Sequence, residues 1–173
     1  MPDPDWQAAL DRCLLRVDQT AAEGGDAWPH HADGATGAWT RTPNGDWTGG
    51  FWAGELWLAA AATGKEAYAR EARRWAELLR PRAASETVFR GFLFWYGAAL
   101  GWVLLKDEDA RRIALEGAEG LATLFNEKAG LIPLGATAEE ASDVGTTEAN
   151  IDGVPGGTPL LALAGRQELA LKH

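Results

Sequence analysis

A single cysteine, Cys13, is present in the 173 residues, which excludes an intramolecular disulfide and a cysteine-based metal cluster. Positive charge is also scarce: 16 Lys and Arg against 25 Asp and Glu leave a formal net charge of −9. Nucleic acids and anionic membranes are bound through clustered Lys and Arg, so neither is expected as a partner. A small anionic ligand held by a few local donors remains compatible with that balance. No run is long and apolar enough to cross a bilayer; the most apolar stretch, Gly91 to Leu105, is too short. The acidic opening MPDPDWQAAL has no basic segment leading into an apolar one, so no secretion leader is expected and the cytoplasm is the expected location. Alternation of period two is missing as well, which predicts an all-α chain.

Against these absences stand nine tryptophans. Each brings a large apolar face and one N–H that needs a partner, so the excess suggests aromatic surfaces beyond core filling, with a Trp-rich core as the plain alternative. Trp6, Leu10, Cys13, Leu14 and Val17 recur at helical spacing and predict a first helix to about Ala22, N-capped at Asp3-Pro4, with Cys13 a buried, inert thiol. Glu23 to Asp46 shows no period and reads as a long ordered loop. Thr48 reads as the cap of a second helix ending at Thr63-Gly64, and a third from Tyr68 to Leu79 is stopped by Pro81. Gly91 to Leu105, apolar nearly all round, predicts a fourth helix buried on several sides. Asp107 caps a fifth. After an irregular stretch from Gly130 to Ala149, Thr158-Pro159 starts a last short helix, and the tail beyond Gly165 simply stops. Helices paired by alternating long and short connections suggest a toroid or solenoid of hairpins.

Four segments carry a family resemblance: WPHHADG (28–34), GDWTGGFWAGELWLAAAATGKEAY (45–68), GFLFWYGAALGWVLLKDEDARRIALEGAEGL (91–121) and NIDGVPGGTPLLALAG (150–165). In order and spacing they resemble the unsaturated glucuronyl hydrolases, glycoside hydrolase family 88. The resemblance implies a partial (α/α)6 toroid of about three helical hairpins, with residues 1–173 forming a single incomplete domain that matches the N-terminal half of the family. It also implies a substrate, unsaturated uronic-acid oligosaccharides, and a reaction without metal or organic cofactor. A carboxyl group protonates C4 of the sugar's C4–C5 double bond, then activates the water that adds at C5. The hemiketal so formed opens and releases the neighbouring sugar, a cycle that needs one group to be acid and then base.

By the same resemblance Asp152 falls on the acid/base aspartate, with a turn or cap residue before Gly153 as its plain reading. Trp47 falls on the sugar-stacking tryptophan, or serves to anchor the second helix. Arg90, whose planar fork suits a carboxylate, is a candidate for holding the uronate, and His31 for lining the cleft. Adjacent His30 and His31 make a poor metal site without a third ligand. Where the family has a His-Asp pair this chain has Val88 and Phe89, so a second carboxylate is missing, and Glu86 is a remote substitute. Impaired catalysis follows, with a non-catalytic or truncated carbohydrate-binding scaffold as the alternative. Half a toroid is expected to leave Phe92, Trp95 and the run Leu160 to Leu163 uncovered unless a second copy closes the edge as a homodimer.

Overall fold

A computed structural model describes residues 5–139 and 145–173. In chain order the elements are α1 (Trp6–Ala22), β1 (Trp28–Ala32), β2 (Trp39–Thr42), α2 (Gly49–Thr63), α3 (Glu66–Leu79), a 3-10 turn (Arg80–Ala84), α4 (Arg90–Phe94), a π turn (Trp95–Ala99), α5 (Leu100–Leu105), α6 (Glu108–Ala122), α7 (Gly153–Leu163) and α8 (Gln167–Lys172). α4, the π turn and α5 form one rod over residues 90–105.

Helix boundaries follow local chemistry. The Asp5 carboxylate accepts the Ala8 N–H and Asp107 accepts that of Ala110, each satisfying a first-turn donor. The expected cap at Asp3-Pro4 lies outside the described residues. Gly64 ends α2 at φ 69°, a conformation that its missing Cβ permits. Thr48 does not cap α2 with its side chain; its hydroxyl instead meets Nδ1 of His30 at 2.7 Å.

Three expectations are corrected. The segment 23–46 holds a two-stranded antiparallel sheet, β1 with β2, whose register is interrupted between Pro29 and His31. Asp33 closes its turn by accepting from the N–H groups of Ala35 and Thr36. Strands of five and four residues are too short for alternation to register. Secondly, α1 buries little of its apolar stripe: Val17 is buried, but Trp6 is 76% exposed, Leu10 is exposed, and so is Cys13. α1 has α2 as its main helical neighbour, so no layer lies over its other side among the described residues. Thirdly, the last helix begins at Gly153 and holds Pro159 inside it. The carbonyl thereby left without its helical N–H belongs to Pro155, an exposed residue. Leu160 and Leu161 are wholly buried rather than uncovered, and α8 follows where the tail was expected to stop.

The helices form two rows. α2, the rod 90–105 and α7 stand side by side, with α3, α6 and α8 packed behind them. Glycines set how closely the inner row packs. A Cβ at Gly50 would lie 2.4 Å from the Phe92 carbonyl oxygen, and one at Gly91 would lie 2.5 Å from the Gly157 nitrogen. Contacts so near their first turns bring the N-termini of α2, α4 and α7 to one end.

The C-terminal His173 is packed at that start of α7, its ring 3.7 Å from where a Gly157 Cβ would lie, with Nδ1 accepting the Ile132 N–H at 3.1 Å. Burial holds its imidazole below the ordinary range, with the Gly153 backbone opposing. A base whose folded value is depressed binds its proton more readily when unfolded. Its stabilisation is therefore complete above the unfolded value of about 6.5 and is lost as pH falls below it. Thermal melts from pH 7 to 5 should show wild type losing stability relative to His173→Gln. A constant difference between the two across that range would remove His173 from the pH response.

Candidate functional site

The end where the three N-termini meet is paved with rings. Trp47 stands at the entry to α2 and lies 6.2 Å from His30, 6.3 Å from Phe51, 6.1 Å from Phe89 and 6.3 Å from Phe92, between ring centroids. Phe89 stacks on Phe92 at 5.9 Å, and Phe51 reaches Tyr96 at 4.9 Å. Beside this floor a cavity of about 180 Å³ opens between the β-hairpin and α2, bordered by His30, Trp39, Trp47, Phe51, Trp52 and Glu55. The indole N–H of Trp52 is buried with no hydrogen-bond partner, an unused donor at the cavity wall. Burial pushes the Glu55 carboxyl up, opposed by the charge of Arg16. The residue as a whole remains exposed to solvent.

The backbone ahead of Trp47 is held by charge and by turn geometry. Asp46 takes φ 49°, its N–H donates to Asn44 Oδ1, and its own Oδ1 accepts the Trp47 N–H at 2.7 Å. Arg82, 8% exposed, donates to the carbonyls of Asn44 and Asp46 at 3.0 and 2.9 Å and to Ser85 Oγ at 3.0 Å, and it pairs with Glu139. One guanidinium thus ties the approach to α2, the 3-10 turn and a distant loop together.

Of the four residues singled out from sequence, Trp47 lies at the centre of the aromatic floor. Asp152 is exposed at the N-terminus of α7, does not cap that helix with its side chain, and is not among the residues bordering the Trp47 cavity. It stands at the same end of the molecule, because its neighbour Gly153 abuts Val88, whose chain neighbour Phe89 meets Trp47. Arg90 is 2% exposed, and its guanidinium is committed to the carbonyls of Ala83, at 2.6 Å, and Thr87, at 3.3 Å. Desolvation lowers it to about 10, which leaves it cationic at neutral pH. Its fork is occupied by backbone, away from the cavity. His31 is exposed and reaches the floor only through the ring of His30, at 5.1 Å; it is His30 that borders the cavity. Glu86 is exposed, and Val88 and Phe89 are 1% and 2% exposed, so apolar packing fills the position at which the resemblance places a second carboxylate. Among the described residues no group of three His, Cys, Asp or Glu side chains is arranged to hold a metal, and no helix is long and apolar enough to cross a membrane.

Phe51, Glu55 and Arg82 were not singled out as site residues from the sequence, and Phe89 was noted only as standing where the family has a carboxylate. Phe51 and Glu55 follow Trp47 at four-residue spacing on one helix face, a signal that was available. Arg82 meets Glu139 across 57 positions, and no local pattern reports such a pair.

The unsaturated glucuronyl hydrolase of Bacillus sp. GL1 is 36% identical over 131 residues, 73% of this chain and 34% of that protein. Its crystal structure superposes with a TM-score of 0.83 over 97% of this chain and 46% of its own, at 31% identity. Sequence and fold together make this chain a relative of the unsaturated glucuronyl hydrolases. A UGL variant solved with dGlcA-Glc-Rha-Glc gives a TM-score of 0.84 at 32% identity, over 97% of this chain and 46% of that one. The unsaturated chondroitin disaccharide hydrolase of Streptococcus pneumoniae R6 is 30% identical over 93 residues, 51% of this chain and 24% of that protein. No family model matches the chain. It spans less than half the length of the relatives and solved structures it matches.

Proposed function

We propose that the aromatic end of this glucuronyl hydrolase relative binds unsaturated uronic-acid oligosaccharides and has lost most of the capacity to hydrate them. The observation that carries the reading is the contrast at one end of the fold. Trp47 offers an indole face to a sugar, while Val88 and Phe89 fill with buried apolar groups the place where hydration calls for a second carboxylate. What chemistry is left rests on Asp152, an exposed carboxylate at the same end. With Arg90 turned to backbone carbonyls, the uronate is accommodated at the N-terminal end of α2, whose cap residue Thr48 makes no side-chain bond to the first turn. The reading supplies the substrate class, requires no metal or organic cofactor, and places the chain in the cytoplasm, where an exposed thiol such as Cys13 stays reduced.

The test mixes the chain with unsaturated disaccharides from hyaluronan, chondroitin or gellan digests and follows both calorimetric binding and the enol-ether absorbance. Saturable binding without loss of absorbance is expected, and Trp47→Ala should weaken binding about tenfold, about 1.4 kcal/mol, as the stacking face is removed. Rapid loss of absorbance that disappears in Asp152→Asn would overturn the claim of impairment, and absence of binding would overturn the site itself.

A further inference from the structure

The cavity of about 180 Å³ between the β-hairpin and α2 is bordered by Trp39, Trp47, Phe51 and Trp52, by one carboxylate, Glu55, and by no Lys or Arg. Its walls are held in place before any ligand arrives. The Trp39 N–H donates to Thr20 Oγ1 at 3.0 Å, and Trp47 stands among four other rings. Two polar groups at the border are left over. The Trp52 N–H is buried with no partner, and the Glu55 carboxylate enters no hydrogen bond or ion pair among the described residues. One donor, one acceptor and aromatic walls without a cation suit a molecule with hydroxyl groups, apolar C–H faces and no negative charge. A pyranose ring without acidic substituents has all three. Arg16 does not supply the missing positive charge. Its guanidinium donates to the Gly37 carbonyl at 2.6 Å and lies 5.1 Å from the Trp39 ring centroid, and it does not border the cavity.

We infer that Glu55 determines specificity, and that the hairpin cavity takes the sugar linked to the uronate only when that sugar carries no acidic group. This rests on the saccharide reading above, in which the uronate lies at the N-terminal end of α2. Thr48 and Glu55 both border the cavity, and seven positions on one helix put them two turns, about 10 Å, apart on the same face. The substrate therefore has a direction: its acidic ring at the positive end of α2 and its next ring beside Glu55, which accepts from the hydroxyls. A sulfate or second carboxylate on that next ring would instead meet a carboxylate whose charged form burial already disfavours.

Calorimetric titration with unsaturated chondroitin disaccharides, unsulfated and sulfated on the amino sugar, tests this. At about 0.15 M ionic strength, exposed charges about 10 Å apart are largely screened, so an effect of Glu55 reports on the nearer ring. Wild type should bind the unsulfated disaccharide about tenfold more tightly than the sulfated one. Glu55→Gln, isosteric and at an exposed position, should narrow that ratio to about twofold by tightening the sulfated form, and Glu55→Lys should invert it. The methyl glycoside of the unsaturated uronate has no second sugar. It should bind wild type and Glu55→Gln within about twofold of each other, which also shows that the variant folds. Equal affinity of wild type for the two disaccharides, or a preference that survives in both variants, would overturn the inference and leave the saccharide site standing. Failure of wild type to bind the methyl glycoside and both disaccharides would remove the saccharide reading itself, and this inference with it.

Discussion

Arg82→Met should lower the stability of the chain by about 3–5 kcal/mol, the loss that follows when one partner of a buried ion pair is removed. The guanidinium is 8% exposed and reaches Asn44, Asp46, Ser85 and Glu139. Methionine fills similar volume but donates nothing, which leaves two carbonyls unpaired and the Glu139 carboxylate, 17% exposed, without its cation. Chemical denaturation at pH 7 reads the loss. The near-ultraviolet dichroism should also change, because the backbone ahead of Trp47 is released. Adding Glu139→Gln to Arg82→Met should recover part of the loss, since the two groups are coupled. An unaltered denaturation midpoint would show that the approach to α2 holds itself by its turn geometry alone.

Gly91→Ala should cost about 3 kcal/mol, at the upper end of overpacking effects, because the clash is with backbone on both sides and no rotamer relieves it. The added carbon would lie 2.5 Å from the Gly157 nitrogen and 2.8 Å from its Cα. α4 and α7 would have to separate, and with them the floor under Phe89 and the placement of Asp152. At this chain length each kcal/mol moves the melting temperature by about 2–4 °C, so a fall of about 10 °C is expected. Gly34→Ala, where nothing lies within 4 Å, is the control and should change stability by less than about 0.5 kcal/mol. Equal melting temperatures for the two variants would mean that the inner row tolerates a wider spacing than its glycines imply.

Much of the helical frame was legible because its signals are local. Gly64 and Asp107 end or begin helices by chemistry confined to one turn, and Pro81 falls where α3 gives way to the 3-10 turn. Periodicity failed at α1 for a definite reason: it reports that a stripe is apolar but not whether another layer covers it, and Trp6 and Cys13 are exposed. The hairpin escaped because its short strands are paired out of regular register. At the candidate site the motif pointed to Trp47, which the fold sets among the rings of His30, Phe51, Phe89 and Phe92. Arg90 shows the limit of reasoning from residue type, since a guanidinium suits a carboxylate and a backbone carbonyl equally and burial decided between them. Arg82 and Glu139, far apart in the chain, depend wholly on tertiary structure.

The rod 90–105 carries the π turn Trp95–Ala99 at its middle, where the Trp57 indole donates to the Gly97 carbonyl at 3.0 Å. A wide turn adds a residue without adding a full α-helical step, so the two halves of the rod are out of phase. The upper half aims Phe92 at the ring-paved end, and the lower half sets Gly101 against Trp57 and Ala110. Rotational registry is thereby set separately above and below Gly97, and the ring-paved half can be re-angled by substitution while the lower half keeps its seat on α6.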